Sequence, residues 1–483
     1  MKRSNSAACL FLLLAVVSAI IAQQGFAQDL IMPDIPPQVM QQDSVLLPGG
    51  SNVTVTPDTP AQESQPDVKL QAIDIQSLQQ IAMQKNPTII QAQNQIHALR
   101  GKLVQVGLYP NPNLGWLADE MGNAGTAGRQ GLVAGQEFVV GEKLELNRAV
   151  VTQEISAAEA NLNIQCRRVM NDVRIAAVAV QALQEKIRIA EQLVRIAEDG
   201  TKMTQQLVDA MEVSPADLLK AEIETNRTSL MLGVLQEQHL AAWQNLTGLI
   251  GCTDMQITVI SGTLDTEMPQ LDWNVSLNRL LTESPELVRA HAAVQRARYY
   301  QQRQCEERLP NINTEGVVAY NNQTQYTEVT VGITMPIKIY DRNQGNIMQA
   351  QSELAVAQRE VNRIELALHN RLAQSFRNYN VARRQVDAYR TTLLPKTKKS
   401  LDLTSTGFQQ GELNYLDLLT AQRTYFSISM DYISSLESLW QSAIEIEGML
   451  LTGGLQAPAT GNPSTSAQQM PSPPNAMQII STD

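Results

Sequence analysis

The side chains that most often do chemistry are sparse in this chain and poorly placed for it. His97, His239, His291 and His369 fall on separate helical patterns, and no two stand four residues apart. Metal-assisted or nucleophilic catalysis needs clustered ligands or an activated nucleophile, and no HExxH, GxSxG or metal-spaced cysteine pair occurs. The histidines therefore read as satisfied helix residues. Cys166, Cys252 and Cys305 are scattered over helical stretches, and they read as small apolar residues in the core, with no disulfide needed. No enzymatic activity, cofactor or resident metal is expected. The ionisable residues in a repeated setting are Asp217 and Asp417, each three positions after a helix-capping residue, Ser214 or Asn414. A carboxylate at that position completes a capping box and favours the helix N-terminal dipole by about 0.3–1 kcal/mol.

Those two aspartates belong to one pattern written twice. The stretch GELNYLDLLTAQ over 411–422 follows MEVSPADLLKA over 211–221 by about 200 residues, each a turn leading into a capped helix. An apolar stripe then runs at spacings of three and four through Leu418, Ala421, Tyr425, Ile428, Tyr432, Leu436, Leu439, Ala443, Ile446 and Leu450. Its earlier counterpart runs through Leu218, Ala221, Thr225, Thr228, Leu232, Leu235, His239, Ala242 and Leu246. Upstream, Asn86-Pro87 and Ser284-Pro285 each open a helical pattern that closes at a Tyr/Leu-Pro-Asn turn. Two strand-like runs follow, and a charged pair, Glu142-Lys143 or Asp341-Arg342, opens a very long helix. Each half thus reads helix, strand, strand, long helix, turn, long helix.

The organisation expected from composition is a signal peptide over 1–27, an extended or disordered lead over 28–68, a first repeat over 69–255, a linker over 256–274, a second repeat over 275–455 and a disordered tail over 456–483. Lys2-Arg3, the apolar run from Leu10 to Ile21 and the Gly25-Phe26-Ala27 cleavage pattern form the signal peptide, whose apolar run is too short for a stop-transfer helix. The formal net charge of −11 becomes more negative without the leader and argues against nucleic acid as a partner. Aromatic residues are only 4% of the chain, which suits long helices packed through small side chains. The long helices are expected over 142–199 and 342–394, the latter about 80 Å at 1.5 Å per residue, with turns over 200–214 and 396–414. Rods of that length pack as coiled coils.

The strand-like runs, 113–120, 131–140, 313–320 and 326–335, are each about as long as a tilted membrane strand. The last alternates cleanly, with Val329, Val331 and Ile333 on the face expected to meet lipid and Glu328, Thr330 and Gly332 on the other. Soluble hairpins capping a helical bundle would alternate in the same way. If the strands cross a membrane, four of them cannot close a barrel, because small barrels begin near eight and an open edge in lipid is costly. A shared barrel in an oligomer is then required: eight strands in a dimer or twelve in a trimer.

The motifs GLYPNPN (107–113), GQEFVVGEK (135–143), EVSPADLL (212–219), MPIKIYDRNQGN (335–346) and GELNYLDLLTAQ (411–422) together resemble the outer-membrane efflux protein family, the TolC-like exit ducts, and in particular its heavy-metal-resistance branch. The resemblance covers about 73–451, both repeats. It implies a mainly α fold with a small β part. It further implies that three copies share a twelve-stranded barrel in outer-membrane lipid, continued across the periplasm by a helical tunnel. It implies as partners a periplasmic adaptor and an inner-membrane pump of the resistance-nodulation-division or a related type. The adaptor-docking tips then fall on Glu212, Val213, Ser214, Asp217 and Leu218 and on Gly411, Glu412, Leu413, Asp417 and Leu418. Asp417 falls where relatives ring the pore entrance with acid. The chain departs from some relatives at Thr420, where a second aspartate stands, and at Leu413, where a gate-locking arginine stands. It also lacks the lipidated cysteine that many heavy-metal relatives carry after the signal peptide. The function implied is a passive exit duct of a tripartite efflux system, with metal cations as favoured cargo. The alternative is a periplasmic coiled-coil adaptor or structural protein, which shares the leader and hairpins but typically has one hairpin between Gly-rich β domains.

Overall fold

The computed structural model describes residues 72–458 apart from 266, 267 and 411, and the side chains of all these except 124 and 409. The expected signal peptide, the lead over 28–68 and nearly all of the tail over 456–483 lie outside the described residues. Within them each repeat contains two short helices, two strands and two long helices. The first has α1 (Ile75–Lys85), α2 (Pro87–Val106), β1 (Asn113–Asp119), β2 (Arg129–Phe138), α3 (Lys143–Asp209) and α4 (Pro215–Ile250). The second has α5 (Trp273–Glu283), α6 (Pro285–Glu306), β3 (Ile312–Asn321), β4 (Tyr326–Thr334), α7 (Gln344–Ala388), a π-helical turn (Tyr389–Leu393), α8 (Leu394–Gln409) and α9 (Tyr415–Glu447).

The helix starts follow from local chemistry. Asn86 Oδ1 accepts the Thr88 N–H at 2.9 Å with Pro87 in the first turn, and Asp272 Oδ1 accepts that of Val275 at 3.0 Å. A capping oxygen and a proline whose missing N–H would be orphaned anyway fix these starts. The short α1 and α5 add a helix to each repeat ahead of those that Asn86-Pro87 and Ser284-Pro285 open. With the linker they form a collar around the long helices. Ile73 and Ile260 pair as an isolated parallel bridge, and Trp440 Nε1 donates to Leu264 O at 2.9 Å. The Tyr379 hydroxyl donates to Pro269 O. The largest buried cluster lies at this level, with Leu264, Leu368, Leu372, Tyr379, Leu436 and Leu439 among its members.

The long helices outrun their expected ends. α3 continues through Gly200 to Asp209, 67 residues or about 100 Å. Glycine costs about 1 kcal/mol in a helix interior, too little to stop one packed along its length. In the second repeat the expected stop near Leu394 is a joint. Pro395 removes an N–H and crowds the carbonyl four residues back, and the wider π turn just before it absorbs the fault so that the helix resumes. The true turns are 210–214 and 410–414. Both close alike, with Glu212 N donating to Leu207 O and Glu412 N to Gly407 O, each at 2.9 Å, the six-to-one bond of a Schellman ending.

The apolar stripe buries Leu418, Leu436, Leu439, Ala443 and Ile446 of α9 but turns Tyr425 and Ile428 partly outward, with Phe426 and Ile433 taking their place. Adjacency between helices is regular. Above the collar the order is α2, α3, α6, α7; below it α4 packs on α3, α3 on α9, and α9 on α7 and α8.

Candidate pore and docking surfaces

The four strands form one antiparallel sheet in the order β1-β2-β3-β4, so the two repeats meet through β2 and β3, from Arg129 opposite Asn321 to Phe138 opposite Ile312. Gly131 is needed there, because a Cβ would lie 2.1 Å from Val318 O. The register gives the sheet two unlike faces. One cross-strand row holds Trp116, Leu132, Val318 and Val329, and the next holds Leu114, Ala134, Gly316 and Val331. Trp116, Leu114, Leu132, Val329, Val331 and Ile333 are all exposed, Val331 by 75%. Such a contiguous apolar face is far more than a water-facing sheet tolerates. The opposite face carries charge. Arg129 pairs with Asp119 at 2.7 Å and stands 3.8 Å from Glu328, which accepts from Asn321 Nδ2 at 3.0 Å. β1 and β4 each pair on one side only, leaving two edges of backbone donors and acceptors without partners among the described residues.

Sheet and helices are joined by a buried cation. Lys143, 2% exposed, donates from Nζ to Leu309 O and to Asn311 Oδ1, both at 2.6 Å. Asn311 Nδ2 donates in turn to Glu137 Oε1 at 2.7 Å. Burial lowers the Lys143 pKa, and Glu307 at 3.9 Å opposes that. The Pro-Asn turn of the second repeat is thereby tied to the first residue of α3.

At the far end stand the hairpin tips. Ser214 Oγ accepts from Ala216 N at 3.1 Å, one residue short of the expected third position, whereas Asn414 Oδ1 accepts from Asp417 N at 3.0 Å as expected. Met211, with φ of 61°, is 94% exposed. Glu212 and Glu412 are exposed and Val213 is half-buried; Gly411 lies outside the described residues. Leu413 is exposed and rests against Gly407, where a Cβ would meet its Cδ1 at 2.8 Å. Leu418 is buried and Leu218 half-buried. Asp217 pairs with Lys220 at 2.9 Å, and that hydrogen bond holds its carboxyl below the usual range. Asp417 is exposed and has no ion pair among the described residues.

Sequence reasoning missed the tie between the hairpins. Arg423 on α9 grips Glu224 on α4 with two nitrogens, Nε to Oε1 at 3.1 Å and Nη2 to Oε2. Glu224 has 7% side-chain exposure. Burial and then the Glu224 charge raise the Tyr415 hydroxyl pKa beside it. The partners are 199 residues apart, and no local spacing reports such a pair. Of the histidines, His369 meets Trp273 edge-on at 5.5 Å, but His239 is not satisfied: its buried Nε2 has no partner among the described residues, and burial lowers its pKa. The three cysteines are free and half-buried, less enclosed than expected.

Comparison with known proteins gives this geometry a family. A family model described as outer membrane efflux protein matches residues 78–252 and 276–450, one match per repeat. The cobalt-zinc-cadmium resistance protein CzcC of Cupriavidus metallidurans is 25% identical over 374 residues, spanning 77% of this chain and 88% of that protein. Among solved structures, the outer-membrane channel OprN superposes with a TM-score of 0.67 at 16% identity, over 79% of this chain and 91% of that one. CusC superposes with 0.64 at 17%, over 78% and 92%. At these identities the structures speak for the fold, a helical tunnel joined to barrel strands. With both repeats matched, the chain belongs to the outer membrane efflux protein family, seated in the outer membrane with its helices in the periplasm.

Proposed function

We propose that the protein is the passive exit duct of a tripartite efflux system, three copies closing one twelve-stranded barrel through which substrate leaves after hand-over by an inner-membrane pump and a periplasmic adaptor. The observation that carries this reading is the two-faced sheet with two unpaired edges. Its apolar face suits lipid, its charged face a water-filled lumen, and its edges need partners that only other copies supply. A periplasmic adaptor would have no use for such a face. Metal cations are the proposed cargo, on the strength of the likeness to CzcC, and a resistance-nodulation-division or related pump the proposed source. The tips around Glu212, Ser214, Glu412 and Asp417 are the proposed adaptor contacts, since both repeats present the same Schellman turn there. Asp417, unneutralised where Asp217 is paired, is the proposed acid ring at the pore entrance.

The test is assembly and conduction of the purified protein. Trimers in mild detergent and steady conductance in planar bilayers are expected. Val331→Arg should lose about 2–4 kcal/mol of insertion free energy and fail to assemble in the membrane, while Thr330→Arg on the opposite face still inserts. Equal insertion of both variants would put lipid somewhere other than against Val331. For the tips, Glu412→Lys with Glu212→Lys should abolish adaptor capture while trimers persist; loss of trimers as well would leave the turns a folding role only.

A further inference from the structure

The duplication is uneven at the collar. From Ile75 to His97 the one residue among Asp, Glu, Lys and Arg is Lys85, and nine residues carry side-chain amides. The matching run of the second repeat, 273–295, holds four charges (Arg279, Glu283, Glu286 and Arg289) and three amides (Asn274, Asn278 and Gln295). One repeat thus presents a nearly charge-free amide surface where its duplicate presents an ordinary charged one.

On α1 these amides line a groove. Gln76, Gln79, Gln80, Met83 and Gln84 face Met170 of α3 around a space of about 510 Å3. Gln76, Gln80 and Gln84 follow one another at about 6 Å along the helix. All three are exposed and make no hydrogen bond among the described residues, whereas Gln79 Nε2 donates to Met170 O at 3.3 Å. The second repeat shows that the fold can close this place. There Trp273 lies edge-on to His369 at 5.5 Å and to Phe376 at 5.2 Å. Counted from Pro87 and Pro285, the counterpart of Trp273 is the smaller Ile75; counted from Lys143 and Arg342, that of His369 is Met170.

The charges nearest the groove are engaged or offset. Arg174 pairs with Glu447 at 3.2 Å, Arg167 Nε donates to Asn163 Oδ1 at 3.1 Å, and Asp74 and Lys85 stand at opposite ends of the row. A ligand of this groove is therefore selected by hydrogen bonds and not by charge. Each glutamine offers two donors and an acceptor on one mobile end, which matches hydroxyl and acetamido groups that also do both. The two thioethers give a soft apolar floor for the C–H face of a sugar ring or an acetamido methyl. The usual ways of taking a peptide do not fit, because neither helix has a strand edge to extend and two thioethers are too few to form an apolar groove.

We propose that the α1–α3 groove binds a strand of neutral, N-acetylated glycan in the periplasm, with Gln76, Gln80 and Gln84 reading successive sugars. A row of three evenly spaced amides suits a chain passing along the helix better than a single enclosed sugar. The site belongs to one protomer and does not depend on how copies assemble.

The experiment is titration calorimetry on the full mature protein in mild detergent, with chitotetraose, a β-linked N-acetylglucosamine tetramer, as the probe. Saturable binding is expected, with affinity at least about tenfold lower for N-acetylglucosamine itself and for cellotetraose, which lacks the acetamido groups. Gln76→Ala with Gln80→Ala and Gln84→Ala should weaken chitotetraose binding about tenfold or more. Its unfolding midpoint should not fall, since alanine suits exposed helix positions. Ile75→Trp with Met170→His, which copies the closure of the second repeat, should remove binding as well. Absence of chitotetraose binding, or full affinity in the triple alanine variant, overturns the site. Equal affinity for the single sugar overturns the strand, equal affinity for cellotetraose overturns the N-acetylated class, and equal affinity for a neutral Gly-Ser peptide overturns a glycan altogether. Trimer assembly and conductance are read separately, so a failure here leaves the duct standing.

Discussion

The two helical hairpins descend from one sequence pattern and have become different mechanical objects. The first rises without interruption, 67 residues from Lys143 to Asp209, and the acid at its tip, Asp217, is closed off by Lys220. The second is broken into α7, a π turn and α8, and its tip acid is open. At the level of the break, Asp265 of the linker accepts from the Tyr432 hydroxyl at 3.0 Å and stands 3.7 Å from Arg390 in the π turn itself. Burial and that hydrogen bond push the Tyr432 pKa up to about 12. A duplicated protein can thus use one copy as a strut and the other as a jointed arm, and the joint costs little because the linker braces it.

The largest effect should come from exchanging this difference. Arg195 stands in α3 where Pro395 stands in the second repeat. Arg195→Pro, with no π turn prepared, should cost about 3 kcal/mol or more, read as a lower unfolding midpoint, while Pro395→Ala leaves that midpoint nearly unchanged. Similar losses from both would mean that the joint bears load after all. Next comes the upper body shared by both repeats, where Glu154 takes Lys102 at 2.7 Å and Arg296 at 2.8 Å. Burial raises its pKa, but those hydrogen bonds and charges prevail and hold it below the usual carboxylate value. Its stabilisation is therefore complete above the unfolded pKa and disappears as pH falls through the lowered folded one. Glu154→Gln should lose about 1–3 kcal/mol at neutral pH and flatten the acid limb of the stability curve; an unchanged acid limb would remove Glu154 from that role.

A smaller effect is expected where the arm is tied to the strut. Arg423→Ala leaves the Glu224 carboxylate enclosed without its partner, and since Arg423 is itself about half exposed the loss should be about 1–2 kcal/mol. The sharper readout is conductance: more open-channel current in planar bilayers, matched by Glu224→Gln. If current stays at the wild-type level in both variants, the pair does not hold the hairpins together at the gate. The smallest effect separates the two tip acids. Asp417→Asn should reduce cation preference of the channel while Asp217→Asn does not, with only small stability changes in each. Equal small shifts in both variants would leave Asp417 a helix cap and nothing more.

What the sequence made readable follows from the range of the forces involved. The strands were found within about two residues at each end because alternation such as that of Val329, Val331 and Ile333 reports a two-faced sheet directly. The tips were found because capping chemistry at Ser214 and Asn414 is local. Helix length was misjudged where a single breaker was given more weight than packing: Gly200 sits inside α3, and Pro395 inside a continuing rod. The Glu224–Arg423 tie and the Lys143–Asn311–Glu137 junction join residues more than 160 positions apart in at least one link. Such pairs are set by how the repeats lie together, which neither repeat's pattern contains. The contact of Leu413 with Gly407 is invisible in the sequence for a related reason, since Gly407 offers a hollow that only the closed turn creates.

The unpaired edges of β1 and β4 have a genetic consequence. In the trimer proposed above, a copy with a sound sheet but a faulty tip or gate would still lend its edges to healthy neighbours. If half the copies in a cell carried such a fault, only about one ring in eight would be wholly sound under random mixing. Substitutions at Glu224, Arg423 or the tips should therefore behave as dominant in a cell that also makes the normal protein. Substitutions that destroy the sheet should be recessive, because a copy that cannot offer an edge never joins a ring to poison it.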